Sequence, residues 1–300
     1  MSNTMQTEIG TVVSLRRYPV KSMLGEELHV AQVRDHGLLG DRAYGLVDRT
    51  DGKVATAKNP RKWPNLFAFG ATFLEPSANT AQVPPVRITL PDGGIITSEQ
   101  SDCNQTLSKA LKREVTLAAT ARGSVSQSEE YWPDMEGLDH RDTVTDFPLP
   151  TGTFFDCATI LLLTTATLNR LRDFHPQGRF EVQRFRPNIV VEPVAAAPSF
   201  VENAWIGHTL ALGGDVQLRI TGPCGRCVMT TLAQGDLPKD SEILRTAVQQ
   251  NQGQVGVYAA VERGGTIRRG DRVRLGAEVG LLLHRRQAFG HADREHRISS

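Results

Sequence analysis

Two thiols with a glycine and an arginine between them stand in the stretch Gly222-Pro223-Cys224-Gly225-Arg226-Cys227. It follows Val216-Gln217-Leu218-Arg219-Ile220, whose apolar–polar alternation predicts a strand, and Gly222-Pro223 is expected to end that strand. The C-x-x-C would then occupy a strand-end loop, where a rigid scaffold carries chemistry. A guanidinium beside a cysteine should favour the thiolate, and thiolates are soft ligands for transition metals. Four readings stay open. The pair can be inert, buried small residues. It can belong to a structural zinc site, but no second C-x-x-C or close Cys/His pair completes four ligands. A thioredoxin-like redox pair wants a helix start, where this chain has Val228-Met229-Thr230-Thr231. The fourth reading is a single catalytic metal held by one thiolate, its other ligands coming from a cofactor.

That last reading requires anion-binding residues elsewhere, and three stretches offer them. Lys21 and Ser22 sit in Pro19-Val20-Lys21-Ser22, and Arg42 ends the glycine-flanked turn Gly37-Leu38-Leu39-Gly40-Asp41-Arg42. The third is Arg184-Phe185-Arg186-Pro187-Asn188, in which Pro187 is expected to hold Arg186 extended and point Arg186 and Asn188 to one side. Singly, each arginine reads as a surface cation. Together they are the set a phosphorylated cofactor needs, with forked guanidiniums on phosphate and amides and hydroxyls on a heterocycle.

The elements that must position these residues are mostly strands. Runs at 10–18, 28–33, 43–48, 54–57, 86–90 and 94–97 read as β, with hairpin turns at Asp51-Gly52 and Pro91-Asp92-Gly93. A short helix is predicted over 102–112 with Asp102 as N-cap. Residues 118–152 read as a long polar connection or a loop over the second half, whose Glu129-Glu130-Tyr131-Trp132 could belong to an active-site rim but reads more readily as a solvated loop. The second half shows an apolar strand at 160–163, a helix at 166–173 capped by Thr164 or Thr165, and further strands near 185–191, 209–212, 255–261 and 271–275. Many short strands and few helices predict a mainly β (α+β) barrel or sandwich with helical insertions. The polar, basic end over 278–300, with three of the eight histidines, is expected to be disordered.

Composition bounds the function classes. The 300 residues suffice for two modest domains, and a net charge of +1 offers no electrostatic case for nucleic acid or an anionic membrane. Four cysteines are too few for a disulfide framework, and neither a leader-like segment nor a membrane-length apolar run stands out, so a cytoplasmic protein is expected. No glycine-rich nucleotide loop of the Rossmann or Walker kind is present.

With these stretches assembled, the chain resembles the MOSC family, and most closely its two-part members, which include the amidoxime-reducing component and its bacterial relatives. The resemblance rests on Tyr18-Pro19-Val20-Lys21-Ser22, Gly40-Asp41-Arg42, Phe185-Arg186-Pro187-Asn188-Ile189-Val190-Val191, Cys224-Gly225-Arg226-Cys227 with Thr230-Thr231, and Gly264-Gly265-Thr266-Ile267-Arg268-Arg269-Gly270-Asp271. It implies an N-terminal β-domain over 8–118, a connection over 119–152 and a MOSC β-barrel over 153–277. It also implies a molybdenum cofactor whose pterin dithiolene gives the metal two sulfurs and Cys227 a third. By the same resemblance Lys21, Ser22, Arg42, Cys157, Ala158, Thr159, Arg186, Asn188 and Arg226 would contact the cofactor. At Cys157-Ala158 the chain departs from the family's Thr-Ser, losing side-chain hydroxyls there. The implied activity is reduction of small N-hydroxylated compounds such as amidoximes, hydroxylamines and N-hydroxylated bases. Electrons would come from a separate ferredoxin- or flavoprotein-type donor. The alternative is a carrier of cofactor or sulfur, or a sulfurtransferase, working through Cys227.

Overall fold

Seven strands close into a barrel in the computed structural model, which describes residues 7–74, 83–121, 123–136, 140–194 and 200–276. Going round it, the strands are Ile189–Pro193, Ile160–Thr164, Gln254–Arg263, Val216–Gly225, Thr209–Leu212, Arg272–Leu275 and Thr7–Arg17, and the last pairs back onto the first. All neighbours are antiparallel except Ile160–Thr164 with Ile189–Pro193, whose parallel pairing needs the crossover made by the helix Thr165–Phe174. The N-terminal strand therefore belongs in space to the barrel of the second half. The end of the chain over 278–300, expected to be disordered, lies outside the described residues.

Alternation explains the barrel interior. Val12 and Leu15, Ile160 and Leu162, Ile189 and Val191, and Leu218 and Ile220 turn inward and form one apolar cluster. Each such side chain contributes roughly 1.5–3 kcal/mol over leaving it in water. In the strand Ile160–Thr164, residues 160–163 are all apolar because the strand is largely covered on both sides. Its Leu163 packs outward under the helices Thr165–Phe174 and Glu242–Asn251 with Leu168, Leu171 and Ile243. Thr164 caps the first of these helices by accepting the Thr167 N–H at 3.2 Å.

The rest of the first half has its own core around Val20, Leu46, Phe67, Phe69, Ile88 and Leu107. It carries the expected helix as Cys103–Leu111, with Asp102 at the N-cap position but making no side-chain capping bond. The connection over 118–152 differs from expectation. It folds into a hairpin of Gln127–Trp132 on Thr143–Pro148. Val54 N–H donates to the Gln127 carbonyl and Tyr131 N–H to that of Lys58, each at 2.8 Å, which docks the hairpin on the first half. So charged a run holds a strand because Lys53 and Lys62 neutralise Glu129 at 3.0 and 3.3 Å, and Lys58 neutralises Glu130 at 3.2 Å. No helix among the described residues is long and apolar enough to cross a membrane.

Candidate functional site

A cavity of about 380 Å³ opens where the first half meets the rim of the barrel. From the first half come Lys21, Ser22, Arg42, Lys58, Glu130 and Trp132; from the second come Asp156, Cys157, Ala158, Arg186, Asn188, Arg226 and Cys227. The scattered cations and the thiol thus share one space. Thr159 is not part of its lining. Its backbone packs against Gly37, where an added Cβ would lie 2.8 Å from the Thr159 carbonyl and φ is +99°.

One buried carboxylate ties three of the stretches together. Asp41 accepts the Tyr18 N–H at 2.7 Å and the Asn188 side-chain amide at 2.8 Å, and it pairs with Arg42. Asn188 in turn accepts the Leu161 N–H at 3.1 Å and donates to the Arg16 carbonyl at 3.3 Å, so its amide positions the site. The Arg42 and Arg186 guanidiniums lie 4.5 and 4.1 Å from the centre of the Tyr18 ring.

Three lining residues have left-handed backbone: Ser22 (φ 63°), Arg42 (φ 48°) and Arg186 (φ 53°). Such geometry costs about 1 kcal/mol or more per non-glycine residue and is retained where surrounding structure imposes it. The Ser22 hydroxyl is held by the Ala57 N–H at 3.0 Å, and the Arg42 N–H reaches the Tyr18 carbonyl at 2.8 Å. The expectation of an extended Arg186 is corrected. Pro187 disfavours right-handed helix before it, and Arg186 escapes to the left-handed region at the end of the turn Val182–Phe185.

The thiols also depart from expectation. Gly222-Pro223 does not end its strand, which runs to Gly225 through irregular pairing at Ile220/Gly222 and Pro223/Gly225. Arg226 Nη1 donates to Cys224 Sγ at 2.8 Å and Nη2 to the Phe185 carbonyl at 2.5 Å, so the guanidinium serves Cys224. Cys224 is 2% exposed, whereas Cys227 follows the strand and is partly open to the cavity. Burial pushes the Cys227 thiol up to about 12, against the pull of Lys58. It therefore stays protonated unless a cation takes the proton's place.

Six cations line the cavity against two carboxylates, Glu130 and Asp156. Arg184 is committed to the fold, donating to the carbonyls of Arg179, Thr230, Leu232 and Pro238. Burial alone would raise the Asp156 carboxyl, yet Lys21 and Lys58 hold it well below the usual range. Burial and the neighbouring Arg42 push Arg186 down to about 10. The Arg226 Nε is buried without a partner. The excess of cations over carboxylates in the lining fits a phosphate-bearing anion. Among the described residues no group of three His, Cys, Asp or Glu is placed to hold a metal ion.

Lys58 and Tyr258 line the cavity without having been singled out as site residues, and Glu130 and Trp132 line it although their run reads more readily as a solvated loop than as an active-site rim. The period-two spacing of Ser128, Glu130 and Trp132 was a usable signal for two of them; nothing local marks Lys58.

The chain matches the MOSC N-terminal beta barrel domain over residues 9–130 and the MOSC domain over residues 150–274. It is 24% identical over 302 residues to mitochondrial amidoxime reducing component 2 of Bos taurus, covering 89% of this chain and 83% of that protein. It is 26% identical over 272 residues to molybdenum cofactor sulfurase of Danio rerio, covering 83% of this chain and 32% of that protein. A crystal structure of the YUAD protein from Bacillus subtilis superposes with a TM-score of 0.46 at 12% identity, covering 90% of this chain and 98% of that one.

Proposed function

The chain belongs to the MOSC family, with its N-terminal beta barrel domain preceding the MOSC domain, and from that premise we propose that it is a molybdenum-cofactor-dependent reductase of N-hydroxylated compounds. The observation that carries the proposal is the convergence of Cys227 with Lys21, Arg42, Arg186 and Arg226 on one cavity. When bound, the cofactor supplies two-electron chemistry at the metal. Arg42, Arg186 and Lys21 offset its phosphate charge, and Arg226 offers its unpartnered Nε. Cys227 gives the one protein sulfur. Asp41 holds Arg42 and is itself held by Asn188, whose side chain lines the cavity. Near Cys157 and Ala158 only backbone and a thiol are available for contacts. Four free cysteines suit a reducing compartment such as the cytoplasm.

In the reaction, two electrons and two protons convert an amidoxime into an amidine and water, the electrons arriving from a separate ferredoxin- or flavoprotein-type donor. The test is reduction of benzamidoxime driven by reduced methyl viologen, using protein from a host that makes the cofactor. Turnover is expected in the wild type and none in Cys227→Ser. Protein that holds molybdenum and pterin yet never turns over contradicts the reductase reading and favours a carrier, a role suggested by the likeness to molybdenum cofactor sulfurase.

A further inference from the structure

A pocket built to hold phosphate has no evident use for a carboxylate, yet Glu130 lines this one. Its neighbour Asp156 is already paired with Lys21 and Lys58. Lys58 touches Glu130 through Oε2 alone, at 3.2 Å. Glu130, like Lys58, lines the same cavity as Cys227.

The strand Gln127–Trp132 explains how it arrives there. Ser128 is fully buried, donating to the Val54 carbonyl at 3.0 Å, and the alternate residues Glu130 and Trp132 reach the cavity. Glu129 and Tyr131 turn to the other face, where Lys53, Lys62 and Arg61 hold them. The Trp132 indole N–H is engaged with Thr145 Oγ1 at 2.9 Å, and His140 meets the ring edge-on at 5.1 Å. What the held ring offers the cavity is therefore aromatic surface, not a donor.

We propose that Glu130 and Trp132 form the substrate-selecting wall of the site, recognising planar N-hydroxylated amidines or guanidines that carry an N–H beside the N–O bond. The proposal rests on the reductase reading and adds to it which substrates are preferred and why. Such a molecule offers an N–H donor to a carboxylate and a flat π face to an indole. Once the hydroxyl has left as water, the amidine takes up a proton at neutral pH. Both features then strengthen, because a carboxylate and an aromatic face each favour a cation.

The experiment is calorimetric titration of the protein, purified from a host that makes the cofactor, with cationic benzamidine and with neutral benzamide of the same shape. The wild type should favour benzamidine by about tenfold or more, the range of a charge-assisted hydrogen bond. Glu130→Gln should erase that preference, and Trp132→Ala should weaken both ligands while Trp132→Phe, which keeps an aromatic face, restores much of the loss. Equal binding of the two ligands by the wild type, or an unchanged preference in Glu130→Gln, overturns the proposal. A second readout is the ratio of kcat/KM for benzamidoxime to that for pyridine N-oxide, which has no N–H, and Glu130→Gln should lower this ratio about tenfold. If neither compound is reduced while the benzamidine preference still depends on Glu130, the reductase reading fails and the wall stands. If reduction is intact and the ratio does not move, the wall fails and the reductase reading stands.

Discussion

The Asp41 carboxylate accepts the Asn188 side-chain amide at 2.8 Å across 147 residues of chain. The same carboxylate takes the Tyr18 N–H and the Arg42 guanidinium, so stretches from both halves are fixed to one another through it. Asp41→Asn keeps the shape and removes the charge. Breaking a pair whose carboxylate is fully buried, with Arg42 partly open to the cavity, costs about 3 kcal/mol or more once the Asn188 amide also loses its charged acceptor. At about 2–4 °C per kcal/mol for a chain of this size, the unfolding midpoint should fall by at least about 6 °C in differential scanning calorimetry. A shift below the scatter of replicate scans would show that the junction is not held by this charge.

Two neighbouring arginines should behave in opposite ways. Arg184 is fully buried and bonded to four carbonyls, so Arg184→Ala should lower stability by several kcal/mol. Arg186 donates to the Met23 carbonyl at 2.7 Å and otherwise faces the cavity. Arg186→Ala should weaken pterin retention about 10–100-fold, the range of one charge-assisted contact, with a smaller loss of stability. Pterin content by fluorescence after acid oxidation, set beside thermal unfolding, separates the two. Equal pterin loss in both variants, with equal unfolding, would contradict the division.

Much of this division was legible in residue type but not in geometry. Cys227, Lys21, Arg42 and Arg186 stood out as cations and a thiol near strand ends, and the alternating runs became strands. Closure of the barrel by Thr7–Arg17 was not legible, because pairing with Arg272–Leu275 joins residues at opposite ends of the described chain. Glu130 and Trp132 were legible only as the weaker of two readings, an active-site rim set behind a solvated loop, for a related reason. A dense charge run reads as solvated until its partners are known, and Lys53 and Lys58 lie more than 70 residues away. The Arg226 guanidinium turned to Cys224 because the Phe185 carbonyl anchors its other end.

A buried carboxyl outside the cavity gives a pH signature. Glu202 accepts the Thr164 and Thr167 hydroxyls, each at 2.7 Å, and its Oε1 has no partner. Burial raises its pKa above the ordinary 4.5, and the hydroxyls offset only part of that. The folded state thus holds this proton more tightly than the unfolded chain does. The resulting stability is fully present below about pH 4.5 and is lost as pH rises through the folded value. Glu202→Gln should flatten that part of the stability–pH curve, measured by urea unfolding between pH 4 and 8. An unaltered slope would mean that the carboxyl ionises freely in the folded protein.

Gly45 leaves room for Phe154, since an added Cβ would lie 2.8 Å from its ring. The Phe154 carbonyl accepts Lys21 Nζ at 2.9 Å. Gly45→Ala should cost about 1–3 kcal/mol through overpacking and displace Lys21 from its anchor. Lower pterin content together with a lower unfolding midpoint is the expected pair of results. A wild-type midpoint would show that the ring simply moves aside.

The central claim, that Cys227 supplies the one protein sulfur to a cofactor-borne metal, is tested most directly by X-ray absorption at the molybdenum edge. Spectra of the wild type and of Cys227→Ser should differ by one sulfur in the metal's coordination shell, with the pterin still bound in the variant. Identical sulfur counts in the two proteins, or a wild type that takes up no molybdenum from a host rich in the cofactor, would contradict the claim.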